Sequence, residues 1–557
     1  MNEELDLEEL APWLIIAITL VGAGLRVLLL RTKGLWLDET FSIWMAKQSV
    51  AEIVQWTIKI DQHPPLYYLF LHFWIGRFGD NVYDVRLLSA LFGAGTIPVI
   101  YLIGKRLSGV VVGLLAAAIL AVSPFNIYFA QETRMYTLLV FNTAVAIYAL
   151  ARLLTDKRTA QPIGSQLREY VRVWRAPDPI EPNPQAEFSY KHLYRQQPGW
   201  RGWVARHNWL PVSAIETDLA WIGFVLFSVA AMLTHNTAVL FPITTNIIVL
   251  TLIVYQRKNE TAWPAPSLAN WIKAQIGIFL LWSPWLIPFI KQANNVAQRF
   301  WIPAPTWEAV ILAIRTFLNA SAPTTDRQAI IIWSCYGLAL GLGVLHFRKK
   351  RSTLWLLVAL FALPILGELL VSLRQPIFYD RTLLWTTIPL FLVLAAGIAQ
   401  LRWRLVILLG LSGFITLNLF SVSDYYRFFQ KEDWERAAGY VALYAEQDDL
   451  VLFNSNFVVI PFNHFFEQYE DLYGTQIEKQ GVPLDLFQDE VLEPKMTESD
   501  IPTLISLIEG HDRVWLVYSH EWYTDPHGLI PQTLASRLAL SQQRDFYGGQ
   551  VRLYTAP

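Results

Sequence analysis

Cysteine is nearly missing from this chain of 557 residues, where Cys335 is the single example. A disulfide framework needs paired cysteines and a cysteine-based zinc site needs several, so both are excluded. Charged residues are also scarce, at 16%, and the net charge of −2 gives no indication of a nucleic-acid partner, so none is expected. By contrast, 54% of the residues are hydrophobic and the mean hydropathy is +0.33, a composition typical of membrane proteins.

The apolar residues are gathered into runs of about 18 to 22, the length with which a helix crosses roughly 30 Å of hydrocarbon. About eleven such runs predict an all-α polytopic membrane bundle. The predicted spans lie at about Trp13–Leu30, Val85–Leu107, Val110–Tyr128, Tyr136–Leu154, Leu219–Leu233, Ala238–Tyr255, Trp271–Ile290, Ile330–Phe347, Leu354–Leu373, Thr382–Gln400 and Leu405–Phe420. The N-terminus is acidic and no small-residue cleavage site follows the first run, so we expect this run to remain as a span.

The basic loops predict the orientation of these spans, since Lys and Arg near span ends favour the cytoplasm. With about eleven spans, the following basic loops fall on one side: Lys105 and Arg106, the loop 155–217, Arg257 and Lys258, Arg348 to Arg351, and Arg402 and Arg404. Arg31 and Lys33 are exceptions, and they open a long outer loop at 31–84, where the rule weakens. We therefore predict a multi-pass protein of the plasma (inner) membrane with the loop 155–217 in the cytoplasm.

The hydropathy changes after the last span, which divides the chain into a membrane domain at 1–424 and a second domain at 425–557. The second domain alternates amphipathic helices with short strands, among them Asp449–Phe453 and Arg513–Tyr518, and this pattern predicts a small soluble α/β domain. An odd number of spans from a cytoplasmic start places it outside the cell. Its role is either to bind an acceptor or to pack as a cap over the outer loops.

Unusual polar residues cluster on the predicted outer side, and ionisable groups at membrane depth are costly and tend to be functional. They come from five segments: Leu37-Asp38-Glu39, Asp61 with His63, Gln131 to Tyr136, His235-Asn236, and Tyr379-Asp380-Arg381. Carboxylates, imidazoles and guanidinium groups are therefore delivered to one surface.

The same segments carry a resemblance to a known family. The chain reads LWLDE at 35–39, HPPLYYL at 63–69, a Pro-Phe turn at 124–125, QETRMY at 131–136 and YDRTLLWTTIP at 379–389. This order resembles the dolichyl-phosphate-mannose protein mannosyltransferase type of the GT-C glycosyltransferases, to which the lipid A aminoarabinose transferases are related. The resemblance is strongest over Leu35–Leu154 and does not specify the C-terminal domain. It implies a GT-C fold and transfer of a monosaccharide from a polyprenyl-phosphate carrier.

The resemblance also implies catalytic roles for carboxylates. Asp38 would be the base that takes the proton of the acceptor hydroxyl, and Glu39 would orient or tune it. Glu132 would be a second carboxylate beside the sugar, or a partner of Arg134. The alternative for Asp38 and Glu39 is that they cap the helix that follows.

The departing phosphate needs positive charge, and the guanidinium groups of Arg134 and Arg381 offer forked donors that match its oxygens. The alternative is that these arginines extend to lipid headgroups. Glu132 and Tyr136 would share one helix face if a helix begins there, with Gln131 and Arg134 as a neighbouring pair. The motif would then present an acid, an amide and a cation to one cavity. His63 would contact the phosphate or the acceptor, or it would form hydrogen bonds with the backbone of its own loop. A zinc site from His63, His72, His235 and Glu39 lacks helical ligand spacing, so we predict no metal and no cofactor.

The sequence thus predicts an inverting glycosyltransferase that acts by single displacement on the extracytoplasmic face. Its donor would be a polyprenyl-phosphate-linked monosaccharide, mannose or similar, and its acceptor a protein, a lipid or a glycan. Its other partners would be membrane lipids. Two alternatives are a transporter or flippase of lipid-linked sugar, which should show repeats and mid-membrane charges, and a non-catalytic scaffold.

Overall fold

The structure is a computed structural model that describes residues 7–61, 63–155, 212–258, 265–299, 304–319, 326–401, 404–473, 477–486, 488 and 494–557. The predicted cytoplasmic loop at 155–217 lies almost entirely outside the described residues, as does Arg402.

Long helices build the first three quarters of the chain. They are α1 (Leu7–Val27), α2 (Leu37–Lys47), α3 (Val50–Lys59), α4 (Leu66–Phe78), α5 (Val82–Ser108), α6 (Val110–Ala121), α7 (Pro124–Ala130), α8 (Tyr136–Thr155), α9 (Val212–Met232), α10 (Leu240–Lys258), α11 (Leu268–Trp282), α12 (Leu286–Arg299), α13 (Trp307–Asn319), α14 (Asp326–Phe347), α15 (Arg351–Ser372), α16 (Thr387–Ala399) and α17 (Arg404–Phe428). A 3₁₀ turn at Asn236–Val239 precedes α10, and another at Asp380–Thr386 precedes α16.

Among the described residues, nine helical segments are long and apolar enough to cross a membrane. The pair α6 and α7, bent by 58°, gives a tenth, and the apolar part of α9 at Asp218–Met232 is shorter. Together these segments coincide with all the predicted spans, so the polytopic bundle is confirmed. The bend falls at Ser123-Pro124, where the serine caps α7 and the proline occupies its first turn, since proline lacks the N–H that a continuous helix needs.

Helices α5 and α6 form a tight antiparallel hairpin. Gly109, with φ of +104°, makes the turn between them, in a backbone conformation that favours glycine. The helices approach so closely at Gly104 and Gly113 that a Cβ on either glycine would come within 2.7 Å of the backbone of the other helix. Larger residues would force this hairpin apart.

The basic ends of several helices meet at one end of the bundle. Arg106 donates from Nε to Oγ1 of Thr155 at 2.6 Å, which joins the ends of α5 and α8. Lys350 donates from Nζ to the carbonyl oxygen of Leu107 at 3.5 Å, which brings the turn between α14 and α15 to the same place. Two of the basic loops that the sequence predicts on one side, those with Arg106 and Lys350, therefore lie at the same end of the bundle, opposite to the first turns of α5 and α8.

The C-terminal region forms a small α/β domain around a five-stranded sheet in the order β2-β1-β3-β5-β4. The strands are β1 (Leu450–Phe453), β2 (Glu478–Gly481), β3 (Arg513–Tyr518), β4 (Ala539–Phe546) and β5 (Gly549–Thr555), and the helices are α18 (Trp434–Tyr444), α19 (Val459–Tyr473), α20 (Ile501–Ile508), α21 (Glu521–Thr524) and α22 (Leu529–Ala535). Strands β1, β2 and β3 are parallel, whereas β5 is antiparallel to β3 and β4. The predicted α/β domain and its two named strands are confirmed.

The two faces of this sheet pack into different cores, because successive side chains of a strand point to opposite faces. Leu450 and Leu452 of β1 pack with α20 and α22. Val451 and Phe453 belong instead to the hydrophobic core that continues into the helical bundle. The domain is thus seated on the bundle by one face of its sheet, and α19 contacts α2.

Candidate active site

A cavity of about 420 Å³ opens at the end of the bundle where α2, α8 and the 3₁₀ turn at Asp380–Thr386 begin. Five of the eight predicted site residues line it: Asp38, His63, Arg134, Tyr136 and Arg381. Much of the remaining wall is apolar and comes from α10, α12, α15 and the C-terminal domain. Residues far apart in the sequence are therefore brought to one cavity.

Asp38 lies in the first turn of α2, with 28% of its side chain exposed to the cavity. Its Oδ2 is 3.5 Å from Nη1 of Arg381 and 3.8 Å from Nη2 of Arg134. Both distances exceed those of ordinary charge-assisted hydrogen bonds, so the two cations attract the carboxylate without occupying its lone pairs. Asp38 therefore has an oxygen available to accept a proton.

Arg134 is held in the turn between α7 and α8. Its Nη1 donates to the carbonyl oxygen of Asp38 and to Oγ of Ser42, both at 3.2 Å, and only 5% of its side chain is exposed. Burial alone would lower the pKa of Arg134, but its interactions with Asp38, Tyr68, Tyr136 and Asp61 together outweigh burial and raise the pKa well above its usual value. The guanidinium group therefore stays charged beside the cavity.

Arg381 reaches the cavity from the 3₁₀ turn that precedes α16. Its guanidinium carbon is 4.6 Å from the ring centroid of Tyr379 and 5.7 Å from that of Tyr136. Such contacts with aromatic faces orient an arginine while leaving its N–H donors free for an anion. With Arg134, this places two fixed cations close to the same oxygen of Asp38, Oδ2.

His63 also lines the cavity and contacts two partners. Its Nδ1 is 3.0 Å from Oδ1 of Asp61, and its ring meets the ring of His235 edge-on at 5.0 Å. Burial alone would raise the pKa of Asp61, but His63 and the hydrogen bond between them lower it. The Asp61 carboxylate thus fixes one nitrogen of His63 and leaves Nε2 to face other groups.

Glu39 and Glu132 do not line the cavity but lie in a buried ion network behind it. Glu39 accepts from Nε and Nη2 of Arg86, both at 2.7 Å, and from Nζ of Lys431 at 2.8 Å. The backbone N–H of Thr133 donates to it at 2.9 Å. Nζ of Lys431 is also 3.2 Å from Oε1 of Glu132. Two carboxylates and two cations are thus paired, as buried charges must be.

The pKa values of the two carboxylates in this network are shifted in opposite directions. Burial alone would raise the pKa of Glu39, but the charges of Arg86 and Lys431 lower it well below its usual range. Burial raises the pKa of Glu132, which lies farther from Nζ of Lys431 than Glu39 does. Nothing local in the sequence indicates a role for Lys431, whereas Arg86 is a charge near the start of an apolar span, and such a charge is itself a signal of function.

Gln131 also lies outside the cavity. Its side-chain amide donates to the carbonyl oxygens of Arg26 at 3.1 Å and Leu28 at 2.6 Å, which ties the end of α1 to the turn before α8. Helix α8 begins only at Tyr136, so the helical face that we expected Glu132 and Tyr136 to share does not form. The structure therefore separates Glu39, Glu132 and Gln131 from the five cavity residues.

The alternative zinc site is not assembled in the part of the chain that the structure describes. No group of three or more His, Cys, Asp or Glu side chains there could hold a metal ion. Nδ1 of His72 contacts the carbonyl oxygen of Ala46 at 2.8 Å, and Glu39 is occupied by Arg86 and Lys431.

We expect the Glu39→Gln variant to lose about 3–5 kcal/mol of stability, because Arg86 would stay buried without its charge partner and Lys431 would keep only Glu132. Thermal unfolding of the purified protein in detergent measures this loss. Glu52→Gln is the matched control, since Glu52 caps α3 at the surface through Ser49. Equal unfolding temperatures for the two variants would contradict a structural role for the network.

Comparison with known proteins supports the resemblance seen in the motifs. Residues 62–165 match the family model described as dolichyl-phosphate-mannose-protein mannosyltransferase. This segment includes His63 and the turn with Arg134. No curated protein sequence matches the chain.

Solved structures show the same fold. ArnT from Cupriavidus metallidurans in the apo state superposes with a TM-score of 0.58 at 10% identity, covering 97% of each chain. ArnT bound to undecaprenyl phosphate gives 0.52 at 11% identity, again covering 97% of each. The oligosaccharyltransferase of Archaeoglobus fulgidus, tethered with an acceptor peptide containing the NVT sequon, gives 0.52 at 9% identity and covers 98% of this chain and 74% of that one. The predicted GT-C fold is confirmed. Because 97% of this chain is covered, the match with ArnT extends into the C-terminal domain.

Proposed function

We propose that this chain, an integral membrane protein with the GT-C fold, is a glycosyltransferase that uses a polyprenyl-phosphate-linked monosaccharide as donor. The observation that carries the proposal is the position of Asp38 beside the guanidinium groups of Arg134 and Arg381 in one cavity. The reaction needs a proton acceptor next to a site for a departing phosphate, and this arrangement supplies both.

The proposed reaction is a single displacement. An acceptor hydroxyl attacks the anomeric carbon of the donor sugar, and Asp38 takes the hydroxyl proton. The bond between that carbon and the phosphate oxygen breaks, and the polyprenyl phosphate leaves with its electron pair. Arg381 and Arg134 stabilise the charge that develops on the phosphate. Attack from the face opposite to the leaving group inverts the anomeric configuration.

The walls of the cavity suit a donor with a lipid tail. Val239 lines it from the 3₁₀ turn before α10, Leu240 and Ile243 line it from the start of α10, and Phe289 lines it from α12. These side chains offer an apolar path beside the cations, as an isoprenoid chain linked to a phosphate requires. The undecaprenyl phosphate bound by the ArnT of similar fold supports this choice of carrier.

We place the cavity and the C-terminal domain on the extracytoplasmic face. The support is the distribution of charge: the basic ends that contain Arg106 and Lys350 meet at the opposite end of the bundle. Basic ends favour the cytoplasm. The predicted domain bounds at 424 and 425 fall inside α17, which ends at Phe428.

The acceptor would be a hydroxyl of a protein, a lipid or a glycan that enters from that face. Phe457 of the C-terminal domain lines the cavity, which supports a role of this domain in holding the acceptor. Mannose or a similar monosaccharide fits the family model that matches 62–165. The proposal needs no metal, cofactor or nucleic acid, and its other partners are membrane lipids.

The test is a transfer assay with the purified protein. Polyprenyl-phosphate-mannose and related donors, labelled in the sugar, are incubated with an extracted envelope fraction, and the same sugars on nucleotide carriers serve as control. Label transferred from the lipid donors and not from nucleotide donors is the expected result. Movement of intact lipid-linked sugar across liposome membranes, without transfer, would favour the flippase instead.

A further inference from the structure

The helix that carries Asp38 lacks a cap of its own. Trp36 is the N-cap residue of α2 and makes no side-chain hydrogen bond to the first turn. The first N–H groups of a helix have no partner within the helix and need an acceptor from elsewhere. Glu432, 395 residues later in the chain, supplies one: its Oε2 accepts from the backbone N–H of Leu37 at 3.0 Å.

A neighbouring residue holds the other side of Asp38. Nζ of Lys431 is 2.8 Å from Oε2 of Glu39, so the adjacent residues 431 and 432 contact the residues before and after Asp38. Both lie in the short segment between the end of α17 at Phe428 and the start of α18 at Trp434. Asp38 itself is touched by neither and keeps its carboxylate in the cavity.

The C-terminal domain fixes Glu432 from several directions. Nε1 of Trp434 donates to its Oε2 at 2.7 Å, and Nε2 of His520 is 3.3 Å from its Oε1. Gly548, at φ of +93°, leaves the space for it, because a Cβ there would come within 2.6 Å of Cγ of Glu432. A larger residue at Gly548 would push the carboxylate away from α2.

His520 adds an unusual backbone conformation to this arrangement. Its φ of +56° lies in the left-handed region, where residues other than glycine are uncommon and often mark a functional constraint. This conformation presents the imidazole to Glu432, while Nδ1 contacts Oγ of Ser519 at 2.9 Å. The ring also lies 5.6 Å from that of Phe457, which lines the cavity. The imidazole therefore contacts both Phe457 in the cavity wall and the Glu432 carboxylate that caps α2.

We infer that Lys431 and Glu432 form a clamp through which the C-terminal domain positions Asp38 for the reaction. Glu432 is a positioning residue and touches no reacting atom. The inference rests on the proposed function, and it gives the C-terminal domain a task that holds whichever acceptor the enzyme uses. A base displaced by about 1 Å can lose about 10²-fold in rate, so a clamp of this kind acts on the chemical step.

The test compares Glu432→Ala and Glu432→Gln with the matched control Asp525→Asn. Asp525 is also a carboxylate that caps a helix of this domain, since it accepts from the N–H groups of Leu529 and Ile530, and it is buried, whereas Glu432 is half-buried. It has no contact with α2. We expect Glu432→Ala to lower kcat by about 10- to 100-fold with an unchanged KM for the lipid donor. Glu432→Gln, which keeps an oxygen acceptor for Leu37, should recover part of the rate.

Hydrogen exchange of the peptide that covers α2 gives a readout independent of activity. Exchange in α2 should be faster in Glu432→Ala than in wild type, and unchanged in Asp525→Asn. Wild-type exchange in α2, or a rate loss that is equal in both variants, would overturn the clamp. If wild type transfers no sugar from any donor, the proposed function fails, and the exchange data still decide whether Glu432 holds the helix.

Discussion

We expect the Asp38→Asn variant to transfer sugar about 10²- to 10⁴-fold more slowly than wild type, the range by which a positioned general base accelerates such reactions. Asparagine keeps the volume of the side chain and an oxygen that faces the two guanidinium groups, but it cannot take up the acceptor proton. The loss should therefore appear in kcat under saturating donor.

The affinity for the lipid donor should not fall in this variant. The negative charge of Asp38 lies 3.5 Å from Arg381 and 3.8 Å from Arg134, the cations to which we assign the donor phosphate. Removal of that charge leaves both cations to the phosphate, so the KM for the lipid donor should stay the same or fall. A general loss of folding would instead raise KM or reduce the amount of active protein.

The control for this prediction is Asp84→Asn. Asp84 lies in the first turn of α5, where it contacts Asn81, and it does not line the cavity. Its variant should keep wild-type kcat. Equal transfer by wild type and Asp38→Asn would show that Asp38 is not the base. The proposal that the protein is a glycosyltransferase would still be supported by transfer from lipid donors and not from nucleotide donors.

The sequence predicted the membrane bundle well because the signal is local. Each span is a run of apolar residues, and the length of a run such as Tyr136–Leu154 reports directly on a helix. The strands at Asp449–Phe453 and Arg513–Tyr518 were visible for the same reason. The break at Ser123-Pro124 could also be anticipated, although the 58° bend there could not, because it depends on how α7 packs.

The site was predicted in part, and the division has a physical reason. Asp38 and Arg381 lie next to the ends of apolar helices, so a polar residue there is conspicuous. The function of Glu39 depends on Arg86, 47 residues away, and on Lys431, 392 residues away, and nothing local in the sequence reports such pairings. Gln131 stands in the same motif as Arg134, yet its amide turns to the end of α1.

We expect Arg381→Gln to lower kcat by about 10²- to 10³-fold, as removal of one preorganised donor to a developing oxyanion does in other enzymes. Glutamine keeps hydrogen-bonding capacity without charge. Arg381→Lys should fall between the two, because lysine keeps the charge but loses the fork and the stacking on Tyr379 and Tyr136. Arg374, an exposed arginine two residues beyond the end of α15, provides the matched control as Arg374→Gln.

Inhibition by the lipid product distinguishes a phosphate ligand from an arginine that only contacts headgroups. The released polyprenyl phosphate carries more negative charge than the phosphodiester of the donor, so loss of a cation at the phosphate should weaken product binding more than donor binding. The inhibition constant for polyprenyl phosphate should therefore rise in Arg381→Gln by a larger factor than the KM for the donor. If both change equally, or neither changes, Arg381 does not meet the charge that develops on the leaving group, and Arg134 alone would have to stabilise it.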